Sequence, residues 1–212
     1  ATRAGAPARP GAARRGIGDP QVRARGTLGG SVANNDPAAD YPAACLALGA
    51  TLETDRRSLA ADEFFTGFFS TALAADELLT AVRFPLPLKA AYMKFANPAS
   101  RYAMAGVFVA QFGDGVRVAV TGAGSGGVFR AHALERALQA SFAPESLDDA
   151  VLDAAEMISD LHAGSAYRAH LVLTMARRAV AACNGEVLHR PLRHGGAHAY
   201  ESPQRASPDA QA

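Results

Sequence analysis

Residues 104–121 read MAGVFVAQFGDGVRVAVT and predict the central β-hairpin of the fold. Two apolar runs, Met104–Phe112 and Val116–Thr121, flank a Gly-Asp-Gly sequence at 113–115, which is typical of a hairpin turn whose glycines take a positive φ. Just upstream, Ala91–Phe95 is a candidate strand. We therefore expect an antiparallel sheet built around this hairpin.

Three helical patterns follow the hairpin, at Ala131–Ala140, Leu147–Ile158 and Ser165–Ala182. Strands that come first and helices that come afterwards are typical of the α+β class rather than of repeating βα units. For residues 89–190 we predict a small α+β domain, in which an antiparallel sheet carries a three-helix layer.

The first half of the chain begins with a glycine-rich segment. Gly26–Ser31 predicts a turn, and the dense turn formers at 34–37 follow it. The apolar stretch Ala43–Leu48 predicts a helix, since Gly49 stands where a helix commonly ends on glycine.

Short strands are predicted at residues 50–54 and 77–84, with a short helix or turn at Ala61–Phe65 between them. Pro85 and Pro87 stop the second strand. The change in sequence character near residues 85–89 marks a domain boundary. Residues 18–88 therefore form the first predicted domain.

Composition excludes several classes of protein. The 212 residues are 49% hydrophobic and 19% charged, which is typical of a globular protein. The formal charge of +1 gives the chain no strong positive electrostatic field that would attract nucleic acid. Cys45 and Cys183 are too few for a disulfide framework, and no long apolar run predicts a membrane span. We expect a cytoplasmic protein without a signal peptide, with disordered tails at 1–17 and 191–212.

The first glycine segment has the chemistry of an anion site. Gly29 and Gly30 let backbone N–H groups approach a phosphate closely, and Thr27 and Ser31 add hydroxyl donors. A plain tight turn is the alternative interpretation of the glycine pair.

The longer string GTLGGSVANNDPAAD at 26–40 resembles the second flavin-binding motif of the FAD-binding (medium) subunit of molybdenum hydroxylases, the family of carbon monoxide and xanthine dehydrogenases. The likeness extends from Gly18 to Pro191. Weaker matches to the same family support it, at residues 18–23, 94–96, 102–107, 165–168 and 177–179.

The resemblance implies FAD as cofactor, held by part of a PCMH-type FAD-binding domain. It implies no catalytic acid, base or nucleophile and no metal ligand on this chain. It assigns to the cofactor site the residues Thr27, Leu28, Gly29, Gly30, Ser31, Asp40, Leu79, Lys94 and Tyr102.

The resemblance also implies a role for each of these groups. The segment 27–31 would hold the pyrophosphate, Leu79 would give an apolar contact, and Tyr102 would lie close to the isoalloxazine. Asp40 would order the loop or bond a flavin hydroxyl, and Lys94 would stabilise reduced flavin. The residues alone leave other interpretations open: Asp40 as a helix N-cap, Lys94 as a solvated lysine, Tyr102 as core.

By this resemblance the chain is the flavin-binding electron-transfer component of a multi-subunit oxidoreductase. Its partners would be a molybdenum-cofactor large subunit and an iron–sulfur small subunit. The family's earlier glycine motif is missing, and Ala24 and Arg101 depart from its pattern, so we expect an N-terminally truncated member. A non-catalytic remnant that serves as an interaction module is the alternative.

Three further features compete with this interpretation. Residues 122–127 fit G-x-G-x-x-G and offer a nicotinamide-dependent oxidoreductase as an alternative enzyme, although no second strand is predicted after Phe129. The late histidines His189, His194 and His198 do not have zinc-site spacing. The phenylalanines at 64, 65, 68 and 69 fit either a core or a partner-facing patch.

Overall fold

The computed structural model describes residues 24–186. The predicted tails at 1–17 and 191–212, the motif at 18–23 and the three late histidines lie outside the described residues. In chain order the elements are α1 (Leu28–Asn34), α2 (Asp40–Ala47), β1 (Thr51–Thr54), β2 (Ser58–Ala60), α3 (Ala61–Phe64), β3 (Phe65–Gly67), β4 (Ser70–Thr71), β5 (Leu79–Arg83), β6 (Lys89–Ala96), β7 (Ala103–Gln111), β8 (Val116–Thr121), β9 (Phe129–Arg130), α4 (His132–Ala140) and α5 (Ser165–Cys183). Two 3₁₀ turns, Pro144–Leu147 and Ala154–Glu156, lie between α4 and α5.

The predicted hairpin is confirmed as β7 and β8, at the centre of an antiparallel sheet with strand order β6-β7-β8-β9. The expected role of its turn glycines is wrong. Neither Gly113 nor Gly115 has a positive φ, and the turn closes with a hydrogen bond of 2.7 Å from the Phe112 N–H to the Gly115 carbonyl. A four-residue turn of ordinary backbone therefore joins the strands.

Both faces of this sheet are covered. Val107 and Val109 of β7 point to one face, where α5 packs on β6 and β7. Phe108 and Ala110 point to the other, where α2 packs on β7 and β8. Burial on both faces explains why the strands read as continuous apolar runs instead of alternating with polar residues.

The helical prediction for Leu147–Ile158 is wrong. The backbone of this segment bonds to the loop after β8: the Ser125 N–H donates to the Glu156 carbonyl and the Ile158 N–H to the Ala123 carbonyl, both at 2.8 Å. Asp153 also caps Ala155 locally, as aspartate does in turns. The layer on the α5 face therefore has two helices, α4 and α5, and two 3₁₀ turns instead of three helices.

In the first half, the helix that was predicted to end at Gly49 is confirmed as α2. Gly49 has a φ of 60°, its N–H donates to the Leu46 carbonyl, and the Ala50 N–H donates to the Cys45 carbonyl. This is the Schellman arrangement that favours glycine. The glycine segment Gly26–Ser31, in contrast, is not a turn throughout, because α1 begins at Leu28.

The two predicted strands of the first half are confirmed as β1 and β5, and they form an antiparallel sheet of order β2-β1-β5 with β2, which was not predicted. The predicted short helix is confirmed as α3. The core of this half includes Ala90, Phe108 and Ala119 of the central sheet, so the two halves are packed together. The boundary near residues 85–89 stays a prediction.

Of the four phenylalanines that fit either a core or a partner-facing patch, two are packed in the first half and two are exposed. Phe64 is fully buried and meets the Phe65 ring edge to face. Phe68 and Phe69 form the exposed turn between β3 and β4, and Phe69 has a φ of 48°.

Candidate cofactor-binding cleft

A cleft of about 460 Å³ lies where the two halves meet. Two stretches of the chain line it, 25–40 from the first half and 94–102 from the end of β6 and the turn that follows it. The lining residues are Arg25, Gly26, Thr27, Gly30, Ser31, Asn34, Asp36, Ala38, Ala39, Asp40, Lys94, Ser100, Arg101 and Tyr102. Six of the nine residues predicted for the cofactor site are among them.

The glycine segment contributes the start of α1. Thr27 is the N-cap, and its Oγ1 accepts a hydrogen bond of 3.0 Å from the Gly30 N–H. A Cβ on Gly30 would lie 2.9 Å from that oxygen, so any larger residue there would require the Thr27 side chain to shift. The N–H groups of Leu28 and Gly29 have no acceptor within the helix, and they stand at its partially positive end.

Asp40 accepts hydrogen bonds from two buried groups of β6. Its Oδ2 lies 2.9 Å from the Lys94 Nζ, and its Oδ1 accepts from the Tyr92 hydroxyl. The side chains of Asp40 and Lys94 are only 4% and 10% exposed. The alternatives are wrong for both residues: the N-cap of α2 is Ala39, which makes no side-chain bond, and Lys94 is not solvated.

Tyr92 was missed by the sequence prediction. Burial, together with the neighbouring Asp40 carboxylate, raises its pKa well above the ordinary value, so the phenol stays protonated and donates. Alternation along a strand places Tyr92 and Lys94 on the same side of β6, and this spacing was the available signal.

Gly106 on β7 makes room for that hydroxyl. It pairs with Lys94 across the sheet, and a Cβ there would run into the Tyr92 oxygen and lie 2.9 Å from the Thr121 Cγ2. The absence of a side chain at Gly106 is therefore part of what lets Tyr92 reach Asp40.

Tyr102 also lines the cleft and is 49% exposed, so the alternative of a core tyrosine is wrong. The turn before it is organised by Asn97, whose Oδ1 accepts from the N–H groups of Ala99 and Ser100. An exposed aromatic ring beside a cleft can cover a planar ligand.

Asn35 ties the cleft to the rest of the first half. It is 1% exposed, has a φ of 45°, and its Nδ2 donates to the carbonyls of Gly67 and Ser70 at 2.8 Å each. Its neighbours Asn34 and Asp36 line the cleft. The left-handed backbone at the end of α1, which asparagine tolerates, thus orients this wall.

The other three predicted site residues do not line the cleft. Leu28 and Leu79 pack against the core of the first half, and Gly29 has open space around the position of a Cβ. A contact from Leu79 to a cofactor stays a prediction.

The second glycine segment has a different setting. It joins β8 to β9, which pair antiparallel, so the parallel βαβ unit of a dinucleotide fold is not present there. A Cβ on Gly124 would lie 2.6 Å from the Phe129 ring, and one on Gly122 would meet the Ala103 carbonyl. Close packing explains these glycines.

Residues 24–186 lack both a metal-binding cluster and a membrane-spanning helix. These residues contain no group of three or more His, Cys, Asp or Glu side chains that could hold a metal ion. No helix among them has the length and apolar character needed to cross a membrane.

Residues 2–87 match the family described as the FAD binding domain in molybdopterin dehydrogenase. The chain is 38% identical over 184 residues to the nicotine 6-hydroxylase medium subunit of Paenarthrobacter nicotinovorans, covering 80% of this chain and 64% of that protein. It is 31% identical to the carbon monoxide dehydrogenase medium chain of Hydrogenophaga pseudoflava, covering 77% of this chain and 62% of that one.

Solved structures of related enzymes show the same similarity at the level of the fold. The reconstituted CO dehydrogenase from Oligotropha carboxidovorans superimposes with a TM-score of 0.70 at 32% identity, covering 81% of this chain and 65% of that chain. Quinoline 2-oxidoreductase from Pseudomonas putida 86 gives 0.65 at 26% identity, covering 80% and 64%. The fold and the cleft thus define the class of an FAD-binding α+β protein.

The resemblance stated from the sequence is confirmed: residues 2–87 match the FAD binding domain of molybdopterin dehydrogenases, and the chain is similar to the FAD-binding medium subunits of molybdenum hydroxylases. It spans less than two thirds of the length of the curated relatives named above. The match of residues 2–87 supports FAD as the cofactor.

The residues of the cleft fit such a cofactor. The hydroxyls of Thr27 and Ser31, which line the cleft at the start of α1, suit a pyrophosphate. The exposed ring of Tyr102 suits the flat isoalloxazine. Lys94, whose position Asp40 fixes, supplies a cation in the same lining.

Proposed function

We propose that the chain is the flavin-binding electron-transfer component of a multi-subunit molybdenum hydroxylase, an FAD-dependent oxidoreductase of the carbon monoxide or xanthine dehydrogenase type. The observation that carries this proposal is the cleft itself. Thr27, Gly30 and Ser31 from the glycine motif share it with Asp40, Lys94 and Tyr102, although 54 residues separate Asp40 from Lys94.

The bound FAD would supply the redox chemistry, and the chain would supply position and electrostatics. Thr27 and Ser31 bind the pyrophosphate through their hydroxyls, and Gly30, without a side chain, leaves room for it at the start of α1. Tyr102 covers the ring system. Lys94 places a positive charge where reduced flavin carries a negative one.

Asp40 holds that lysine in place. Because its carboxylate also accepts the Tyr92 hydroxyl, it is shared between two donors and cannot rotate freely. The ammonium group therefore stays at one point of the cleft wall without the entropy loss of ordering it when the cofactor binds.

In the proposed assembly, electrons come from iron–sulfur clusters on a small subunit, and a large subunit holds the molybdenum cofactor and chooses the substrate. Several relatives carry names that describe them as subunits of such enzymes or complexes. The assembly would work in the cytoplasm and would not bind nucleic acid.

A flavin titration tests the proposal. The purified chain is mixed with FAD, and the absorbance spectrum and flavin fluorescence are followed to saturation. We expect one FAD per chain, with a perturbed visible band that bleaches on photoreduction. No bound flavin, either alone or together with the two partner subunits, would refute the proposal.

A further inference from the structure

The mouth of the cleft carries two arginines that the flavin motif does not use. Arg25 lies just before the N-cap of α1, and Arg101 lies in the turn between β6 and β7. Both are exposed, and within residues 24–186 neither forms an ion pair.

The remaining charges of the lining are one ion pair and one carboxylate. Lys94 is paired with Asp40 at 2.9 Å, and the Asp36 Oδ1 accepts a hydrogen bond of 2.8 Å from the Ala38 N–H. Three cations (Arg25, Lys94, Arg101) and two carboxylates (Asp36, Asp40) give the lining a net charge of +1. The excess positive charge is therefore at the two arginines of the mouth.

Arg101 is held there by its turn. Its backbone N–H donates to the Asn97 carbonyl, and the Asn97 N–H donates to the Tyr102 carbonyl, both at 2.8 Å. Arg101 has a φ of 61°, a left-handed conformation that a side chain such as arginine rarely adopts. Such strain persists only where the surrounding bonds impose it, and it is common at ligand sites.

We propose that Arg25 and Arg101 bind a diphosphate group at the mouth of the cleft. The planar guanidinium group matches the geometry of phosphate oxygens, and the hydroxyls of Thr27 and Ser31 stand in the same lining. Where the diphosphate is that of FAD, the inference rests on the proposed function and adds two residues to its cofactor site. The other source is the diphosphate of a second dinucleotide that approaches the flavin.

Inorganic diphosphate is the probe, because it needs no cofactor. Its binding to the flavin-free chain is measured by titration calorimetry for wild type, Arg25→Gln and Arg101→Gln. We expect each substitution to weaken binding about tenfold, the loss of one charge-assisted interaction. Arg101→Lys keeps the charge but loses the planar donor geometry, so its affinity should lie between those of wild type and Arg101→Gln.

Arg136→Gln is the matched control, since Arg136 is also exposed but lines a different surface groove with Arg117 and Arg130. It should bind diphosphate like wild type, and thermal unfolding of each variant checks that the fold is intact. Absence of diphosphate binding by wild type, or equal loss in Arg136→Gln and Arg101→Gln, overturns the proposal.

Flavin binding then separates the two sources. If the diphosphate belongs to FAD, inorganic diphosphate competes with FAD, and the two substitutions weaken FAD but not riboflavin, which carries no phosphate. If it belongs to a second dinucleotide, inorganic diphosphate binds equally well to the FAD complex. Diphosphate binding without any flavin binding would refute the proposed function and leave the anion site standing.

Discussion

Asp40 is the residue on which the electrostatics of the cleft depend, and Asp40→Asn tests it. The substitution leaves the Lys94 ammonium, 10% exposed, without a counter-ion. Breaking a buried pair by removing one partner is strongly destabilising, so we expect a loss of about 3 kcal/mol in the free energy of unfolding. Urea denaturation measures it.

The double variant Asp40→Asn with Lys94→Met removes both charges and should recover part of that loss. Asp76→Asn is the control, because it breaks the exposed pair with Arg56 and should leave stability nearly unchanged. Equal effects of Asp40→Asn and Asp76→Asn would show that the buried pair is not a stabilising contact.

The lowered pKa of Glu77 predicts how the stability of the fold decreases in acid. Hydrogen bonds from the Arg57 guanidinium, the Ala74 N–H and the Thr54 hydroxyl lower its pKa from 4.5 to about 2. A lowered carboxylate pKa stabilises the fold fully above the ordinary pKa, and the contribution is lost as the pH falls through the folded value. Stability from Glu77 should therefore decline between pH 4.5 and about 2.

Glu77→Gln checks this dependence by denaturation at a series of pH values. The variant should be less stable than wild type at neutral pH, and the difference should shrink as the pH approaches 2. A difference that is constant over this range would show that the pKa of Glu77 is not shifted.

Six of the nine site residues predicted from the sequence line the cleft, but the contacts within it were not predicted. The string at 26–40 carried the resemblance, and Thr27, Ser31, Asp40, Lys94 and Tyr102 do meet. The Tyr92 bond to Asp40 could not be predicted, because it depends on strand pairing and on the room left by a glycine across the sheet.

At the scale of elements, the pairing of β6 with β7 sets the geometry of the cleft, and Gly106→Ala tests it. The added methyl group would displace the Tyr92 hydroxyl from Asp40. Overpacking of this kind costs about 2 kcal/mol. Denaturation should show that loss, and flavin titration should show weaker FAD binding.

Tyr92→Phe removes the clashing oxygen, so the double variant with Gly106→Ala should lose less than the sum of the two single changes. Gly113→Ala in the β7–β8 turn is the control, because its Cβ would meet nothing within 4 Å and its φ is ordinary. Additive losses in the double variant would contradict a contact between position 106 and Tyr92.

Elements with strong periodicity were predicted well, and the failures have local causes. The helix predicted at Leu147–Ile158 is absent because residues 156–158 hydrogen-bond to the loop 123–125, a long-range pairing that periodicity does not show. The glycine segment Gly26–Ser31 predicts a turn, yet α1 starts within it with a threonine cap, although glycine disfavours helices.

For the whole molecule, burial differs between the two halves. The central sheet has covered faces, whereas the sheet of β1, β2 and β5 is formed of short strands with many exposed residues. We expect residues 18–88 to exchange amide hydrogens faster than residues 103–183, although α2 is buried against the central sheet and should be protected.

Hydrogen exchange by mass spectrometry measures this difference, with and without FAD. Bound FAD should reduce the difference in protection between the two halves, because it stabilises the fold by about 2.7 kcal/mol when free FAD is a hundred times its dissociation constant. Equal protection of β1 and β8 in the free protein would show that the first half is as stable as the second.

The assignment of the cleft to flavin is tested most directly by the FAD affinity of two glycine variants, one in each glycine segment. Gly30→Ala places a Cβ 2.9 Å from the Thr27 Oγ1 and disturbs the cap of α1, whereas Gly126→Ala, in the second glycine segment, meets nothing within 4 Å. Fluorescence titration should show FAD binding weakened at least about tenfold by Gly30→Ala, in line with the loss of an N-cap and its ligand contacts, and unchanged by Gly126→Ala. Unchanged FAD binding in Gly30→Ala, or a greater loss in Gly126→Ala, would contradict the assignment of this cleft to the flavin.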